Sequence, residues 1–104
     1  MAFVFAETPG MYGAAAAHEA LALETGGAGG AQAAAAGCVV PPGLDEGPSP
    51  MNAAKIAAYS AHVAATMAMA AGYHGMYGGA VAASGMMFDL GDADVDTTFG
   101  TIAV

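Results

Sequence analysis

The sequence predicts an all-α fold, an antiparallel two-helix hairpin. Hydrophobic residues make up 57% of the 104 residues, and nearly half of them are alanine, the strongest helix former. Prolines and glycines over residues 39–49 divide the chain into two alanine-rich segments. In the second segment, larger side chains recur at steps of three and four, the spacing of one helix face. A chain of this length forms one domain at most.

The first helix is predicted over about residues 9–37. Thr8 followed by Pro9 is typical of a helix start, because threonine caps helices and proline is tolerated at the first helical position. The four glycines within residues 26–30 weaken the middle, since each costs about 1 kcal/mol relative to alanine. Propensity alone would break the helix there, and only close packing against a neighbour would keep it continuous. The sequence leaves both outcomes open.

The second helix is predicted over about residues 50–88, after the loop at 39–49. Ser49 followed by Pro50 repeats the pattern of a cap and a first-turn proline. The larger residues on one side of this helix are Ile56, Tyr59, Val63, Met67, Ala70, His74, Tyr77, Val81 and Phe88. Four further residues widen the apolar face: Met69, Tyr73, Met76 and Met87.

The composition leaves little apolar area for a core. Alanine buries only a methyl group, tryptophan is absent, and 16 glycines add backbone entropy that folding must overcome. A helix that is apolar on more than one side normally lies inside a bundle, and one hairpin cannot cover both sides. We therefore expect the hairpin to complete a four-helix bundle with a partner chain. The predicted partner interface consists of Ile56, Tyr59, Val63, Met67, Tyr77 and Val81.

The charge of the chain excludes one class of partner. The net charge is −8, and Lys55 is the only lysine or arginine, so the chain repels phosphate backbones and we expect no nucleic-acid binding. Residues 1–7 carry no basic side chain, so no cleaved secretory signal is predicted. Residues 56–88 contain no aspartate, glutamate, lysine or arginine and are long enough to span a bilayer, although His62 and His74 interrupt the stretch. A small membrane or envelope protein with a spanning helix at 56–88 is therefore the alternative interpretation.

Few residues suggest chemistry. His18, His62 and His74 are the only candidate bases, and none lies in a known catalytic signature. A metal-binding enzyme using His62, His74 and methionines is a third hypothesis, although their spacing does not indicate a shared site. We predict no enzymatic activity and no cofactor. Cys38, alone in the sequence, is expected to be a packing residue near a turn.

The end of the chain differs from the rest. Four aspartates break the apolar pattern after residue 88, and residues 97–100 are predicted to be loop or disordered. We therefore divide the chain into a hairpin, residues 1–88, and a flexible C-terminal tail, residues 89–104. At the boundary, the aromatic ring of Phe88 is followed four positions later by the acid Asp92.

The sequence resembles the PE family, small mycobacterial proteins named for a Pro-Glu pair near their N-terminus. The resemblance extends over Met1-Ala2-Phe3-Val4, Pro9, the loop at residues 39–46, and residues 73–92. Two positions differ from the family pattern. Gly10 stands in place of the glutamate of the Pro-Glu pair, and Phe88 in place of the tyrosine of the family's Tyr-x-x-x-Asp/Glu export signal.

The resemblance implies a partner and a destination. Members of the PE family pair lengthwise with the helices of a PPE-family protein, and the pair is exported by a type VII (ESX) secretion system. Phe88 and Asp92 would form the export signal in the tail, together with a Trp-x-Gly turn of the partner. A cytosolic chaperone would hold the PPE subunit rather than this chain. The exported protein would be secreted or associated with the cell envelope, and would not be an enzyme.

Overall fold

The computed structural model describes residues 7–41, 43 and 46–100, which form two antiparallel helices. Helix α1 spans Thr8–Gly37 and helix α2 spans Pro48–Gly100, and these residues contain no strand. The predicted all-α hairpin is confirmed, while the four-helix bundle with a partner stays a prediction. The molecule is a rod of 91 × 20 × 16 Å. Its radius of gyration is 24.5 Å, against about 13 Å for a compact domain of this length.

The boundaries of α1 agree closely with the prediction. Glu7 is the N-cap residue, without a side-chain capping bond, and its carbonyl accepts the first helical bond from the Met11 N–H at 3.1 Å. At the other end, the N–H groups of Cys38 and Val39 donate to the carbonyls of Ala35 and Ala36 at 3.2 and 3.3 Å. These bonds to carbonyls three residues back tighten the last turn and satisfy two C-terminal carbonyl groups.

A small residue at every seventh position forms the seam between the helices. In both helices these residues are buried or half-buried, and they are Ala15, Ala22, Gly29 and Ala36 in α1 and Ala64, Ala71, Gly78 and Gly85 in α2. A sustained seven-residue repeat keeps one stripe of a helix facing its neighbour. Here the repeat consists of residues with one side-chain carbon or none, so the two backbones come close together.

Glycines lie where the helices are closest. A Cβ atom on Gly29 would lie 3.0 Å from the Cβ of Met67, and one on Gly78 would lie 3.0 Å from the carbonyl oxygen of Ala15. Such an atom on Gly85 would lie 3.2 Å from the ring of Tyr12. The glycine run at 26–30 therefore does not end α1, because the contact of Gly29 with α2 offsets its poor helix propensity.

The hairpin has almost no apolar core. Among the described residues, the only buried hydrophobic ones are Ala15 and Ala36, and no large side chain is fully buried. The accessible surface is 7625 Å², whereas a compact monomer of 10.0 kDa exposes about 5,200 Å². The expected shortage of core is confirmed by these numbers.

Helix α2 is longer at both ends than predicted. It begins at Pro48 rather than at residue 50, and it continues to Gly100, so the loop predicted within residues 89–100 is wrong. No proline follows Pro50, and the hydroxyls of Thr97 and Thr98 donate to the carbonyls of residues 93 and 94 at 2.6 and 2.8 Å. The polar side chains are thus accommodated within the helix instead of ending it. Residues 1–6, 42, 44, 45 and 101–104, including the Met1–Val4 motif, lie outside the described residues.

Adjacent glycines of α2 provide a test of the close approach. Gly79→Ala, where a Cβ would meet nothing within 4 Å, should raise the free energy of unfolding by about 1 kcal/mol. Gly78→Ala should lower it by about 1–3 kcal/mol, because the added carbon would clash with the Ala15 carbonyl. Thermal denaturation followed by circular dichroism measures both. Equal stabilisation by the two substitutions would contradict the close approach.

Candidate partner-binding surface

Large apolar side chains cover one side of α2. They occupy positions separated by three or four residues or by sums of such steps, and each is between 60% and 73% exposed. We call this set the α2 stripe: Tyr59, Met69, Tyr73, Met76, Met87 and Leu90. At 1.5 Å per residue the stripe is about 46 Å long. His62 and Thr66 interrupt it between Tyr59 and Met69. An exposed row of large apolar side chains on one helix face is typical of a face that packs against another helix.

Another exposed side of α2 carries only small residues. It consists of Ala61, Ala65, Ala68, Gly72, Gly75 and Gly79. None of these side chains offers more than a methyl group for burial. The exposed surface of α2 is therefore asymmetric, and the side with the greater apolar area is the α2 stripe.

The six predicted interface residues divide into two groups. Val63, Met67 and Val81 are half-buried beside the seam with α1. The remaining three are exposed, Ile56 at 46%, Tyr59 at 68% and Tyr77 at 58%, and only Tyr59 belongs to the α2 stripe. Leu90 was missed because the helix was expected to end at residue 88. Contact of the six residues with a partner stays a prediction.

Phe88 and Asp92 lie on the same face of α2. They are four residues apart in a continuous helix, so their side chains are neighbours, and both residues are exposed. Phe88 borders a surface depression of 410 Å³ that is also lined by Ala83, Ser84 and Met87. The sequence placed this pair at and just beyond the end of a helix, whereas the structure places Phe88 twelve and Asp92 eight residues before the end of α2. Its role as an export signal stays a prediction.

A hydrogen bond ties the start of α1 to α2 beside Phe88. The Tyr12 hydroxyl donates to Oδ2 of Asp89 at 2.7 Å, and both residues are exposed. This bond raises the pKa of Tyr12 above 10.0, with smaller contributions from desolvation and from the negative charge of Asp89. No local pattern of residues indicates this pair, because its members are 77 residues apart.

Two histidines meet across the helices. Nδ1 of His18 lies 3.1 Å from Nδ1 of His74, and the contact is partly buried. The ring of Tyr77 contacts the His18 ring edge-on, with 4.6 Å between the centroids. His74 is therefore paired with His18 and not with His62, which is exposed and about 18 Å away along α2. The two histidines meet because of the register in which the antiparallel helices pack, and local sequence patterns do not reveal that register.

The hypothesis of a metal-binding enzyme finds no cluster to support it. Within the described residues, no group of three or more histidine, cysteine, aspartate or glutamate side chains is placed to hold a metal ion. Cys38 is at a turn, as expected, but it is exposed, so the prediction of a packing residue is wrong. The turn follows the end of α1, where no element covers the thiol.

The spanning-helix alternative meets a similar difficulty. Neither helix, over the described ranges, has a stretch both long and apolar enough to cross a membrane, so residues 56–88 do not qualify as a span.

Comparison with known proteins gives no assignment. No protein-family model, curated protein or solved structure matches this chain.

The Tyr12 hydroxyl should ionise only above the ordinary tyrosine range. Its hydrogen bond favours the protonated phenol, so this contribution to stability is complete below pH 10 and is lost as the pH rises through the higher folded-state pKa. In an ultraviolet base titration, Tyr12→Phe should remove a late ionisation step, and Asp89→Asn should move it to lower pH. Tyr73→Phe is the control, since it leaves the bond intact. A late step that persists in Tyr12→Phe would contradict the assignment.

Proposed function

We propose that this chain is a non-enzymatic, PE-like subunit that forms an obligate heterodimer with a PPE-family protein and is exported by type VII secretion. The observation that carries the proposal is the α2 stripe, which exposes large apolar side chains on a hairpin that buries none fully. A helix pair laid along this stripe would produce a four-helix bundle. The resemblance to the PE family supplies the identity of the partner.

The surface area supports a large interface. The hairpin exposes about 2,400 Å² more than a compact monomer of its mass, which is the area that a missing layer of helices would cover. Obligate complexes bury about 2,000–5,000 Å² in total over both partners. A partner covering most of this excess would fall within that range. It would also supply the core that the seam of small residues does not provide.

The charge distribution adds a property of the partner. Asp89, Asp92, Asp94 and Asp96 lie within eight residues of α2, and among the described residues Lys55 is the only lysine or arginine. Like charges three and four residues apart destabilise a helix by about 0.2–0.5 kcal/mol per pair. A partner with lysine or arginine opposite this end of α2 would relieve the repulsion and set the direction of docking.

The proposed export signal is presented on a rigid element. Phe88 and Asp92 are held one turn apart by α2, and the bond from Tyr12 to Asp89 fixes α2 against α1 at this point. Recognition would then read an aromatic ring and a carboxylate at a fixed spacing, beside a turn of the partner. The chaperone would contact the PPE subunit, and the exported pair would be secreted or held at the cell envelope.

Substitutions at two neighbouring residues of α2 test the α2 stripe separately from the rest of the surface. Met69→Asp, on the stripe, should abolish the complex when the chain is co-expressed with PPE-family proteins, because it buries an unpaired charge at a helix contact. Ala68→Asp, on the small-residue side, should leave the complex intact. Size-exclusion chromatography with mass determination measures both variants.

The same experiment has outcomes that would reject the proposal. A folded chain that remains monomeric with every PPE-family candidate would show that the α2 stripe is stable in solvent without a partner. A homodimer that this chain forms without any PPE-family protein, and that Met69→Asp disrupts, would show that a second copy of the chain packs on the α2 stripe.

Export can be tested separately from assembly. Phe88→Ala should leave the heterodimer intact and reduce secretion to background, since only the proposed signal is lost. Phe99→Ala is a matched control, because Phe99 is an exposed ring further along the same helix. Asp92→Asn and Asp96→Asn form a second pair with the same expectation. Immunoblots of culture supernatant and cell lysate measure secretion. Normal export of Phe88→Ala and Asp92→Asn would refute the signal.

A further inference from the structure

The contact between His18 and His74 has the geometry of a shared proton. The ring centroids are 5.3 Å apart, the Nδ1 atoms 3.1 Å, and the ring planes differ by 29°. The two nitrogen atoms therefore lie between the ring centres, with the rings nearly end to end. Each Nδ1 directs its lone pair or its N–H toward the other, as in an N–H···N hydrogen bond.

This arrangement accommodates one proton but not two. When both rings are neutral, one Nδ1–H donates to the lone pair of the other Nδ1, and the same holds when one ring is charged. When both rings are charged, each Nδ1 carries a hydrogen, and neither atom can accept. The bond is then lost, and two positive charges face each other in a partly buried contact.

A proton fits the gap better than a metal ion does. Zinc bonds to histidine nitrogen at about 2.0–2.1 Å, so an ion on the line between the two atoms requires them about 4 Å apart. The observed separation is 3.1 Å. No third ligand-type side chain among the described residues joins the two histidines.

The groups around the pair do not neutralise a second charge. Both helices contribute to this contact, and the polar and ring contacts of the two imidazoles within the described residues are to each other and to the neutral phenol of Tyr77. Glu19, beside His18 in the chain, is exposed, as is Tyr73 beside His74. Neither makes an ion pair or hydrogen bond with the imidazoles.

The seam brings the two histidines close together. A Cβ added to Gly78 would lie 3.2 Å from the Cβ of His18 and 3.0 Å from the Ala15 carbonyl oxygen, so α1 and α2 are in contact at this level. Each imidazole is attached to its backbone by a single methylene group. A second charge is therefore relieved by separating the helices or turning a ring out of the contact.

We propose that His18 and His74 form a pH-sensitive clasp that holds the hairpin closed at neutral pH and weakens it when both rings are charged. Histidine side chains change charge between about pH 5 and 8. With both rings charged, the closed hairpin loses the hydrogen bond and holds two positive charges against each other, whereas the unfolded chain keeps them apart. The free energy of unfolding therefore falls as the pH decreases through this range. The clasp lies within the chain and does not depend on the proposed partner.

Thermal denaturation of the full chain without a partner, followed by circular dichroism, tests the clasp. Between about pH 8 and pH 5, the midpoint of the wild-type transition should fall by about 4–8 °C. His18→Gln and His74→Gln should abolish the fall, because a glutamine amide can donate to a neutral imidazole or accept from a charged one. His62→Gln is the control and should retain it, since His62 is exposed and apart from the pair.

Each result decides the proposal. A wild-type midpoint that does not fall, or a fall that persists in both His18→Gln and His74→Gln, would overturn it. Loss of the fall in His62→Gln would also overturn it. If one glutamine variant does not fold at about pH 8, the other carries the comparison. If the wild-type chain folds only with its partner, the same series is measured on the heterodimer, and the same outcomes decide. Failure of both glutamine variants to fold where His62→Gln folds would overturn the clasp, because glutamine can form the same hydrogen bond.

Discussion

The two helices of this protein meet almost backbone to backbone, and the rest of the structure depends on that distance. Gly29, Gly78 and Gly85 lie where a single added carbon would clash with the opposite helix. Because the seam has no room for large side chains, these side chains must lie elsewhere on the helices. The α2 stripe is therefore a consequence of how the hairpin closes as well as a feature of its surface.

Close packing of small residues changes how the hairpin is stabilised. Dispersion between closely spaced backbones contributes where apolar area is scarce, but each alanine removes little surface from water. Few side chains therefore decide the register of the helices. Side-chain hydrogen bonds between α1 and α2 join Tyr12 to Asp89 and His18 to His74. One lies near the start of α1 and the other about two turns further along it.

The sequence predicted the features that depend on local chemistry. Prolines at 41, 42, 48 and 50 located the connection, and alanine indicated helix on both sides of it. The continuity of α1 through its glycines could not be predicted, because it depends on contact with α2. The end of α2 was placed too early, since four aspartates resemble a polar tail while the intervening residues still support a helix. A small residue every seven positions was the available signal for the seam.

Only part of the candidate surface could be predicted, because it too depends on how the two helices pack. The methionines and tyrosines of α2 were identified by their helical spacing, but the side that faces α1 depends on register. The set that was chosen therefore includes residues of the α2 stripe and residues beside the seam. The histidine pair and the Tyr12–Asp89 bond depend on the same register, since each joins residues far apart in sequence.

Because the two helices differ in length, the end of α2 and the seam are under different evolutionary constraints. Helix α1 has 30 residues and α2 has 53, and every residue from 86 to 100 is exposed. Apart from Asp89, which bonds to Tyr12, residues of this segment can change in charge or aromatic content with little effect on the seam, whereas a larger residue at Gly29, Gly78 or Gly85 requires the facing helix to shift. Recognition can therefore diverge among related chains while the hairpin stays the same.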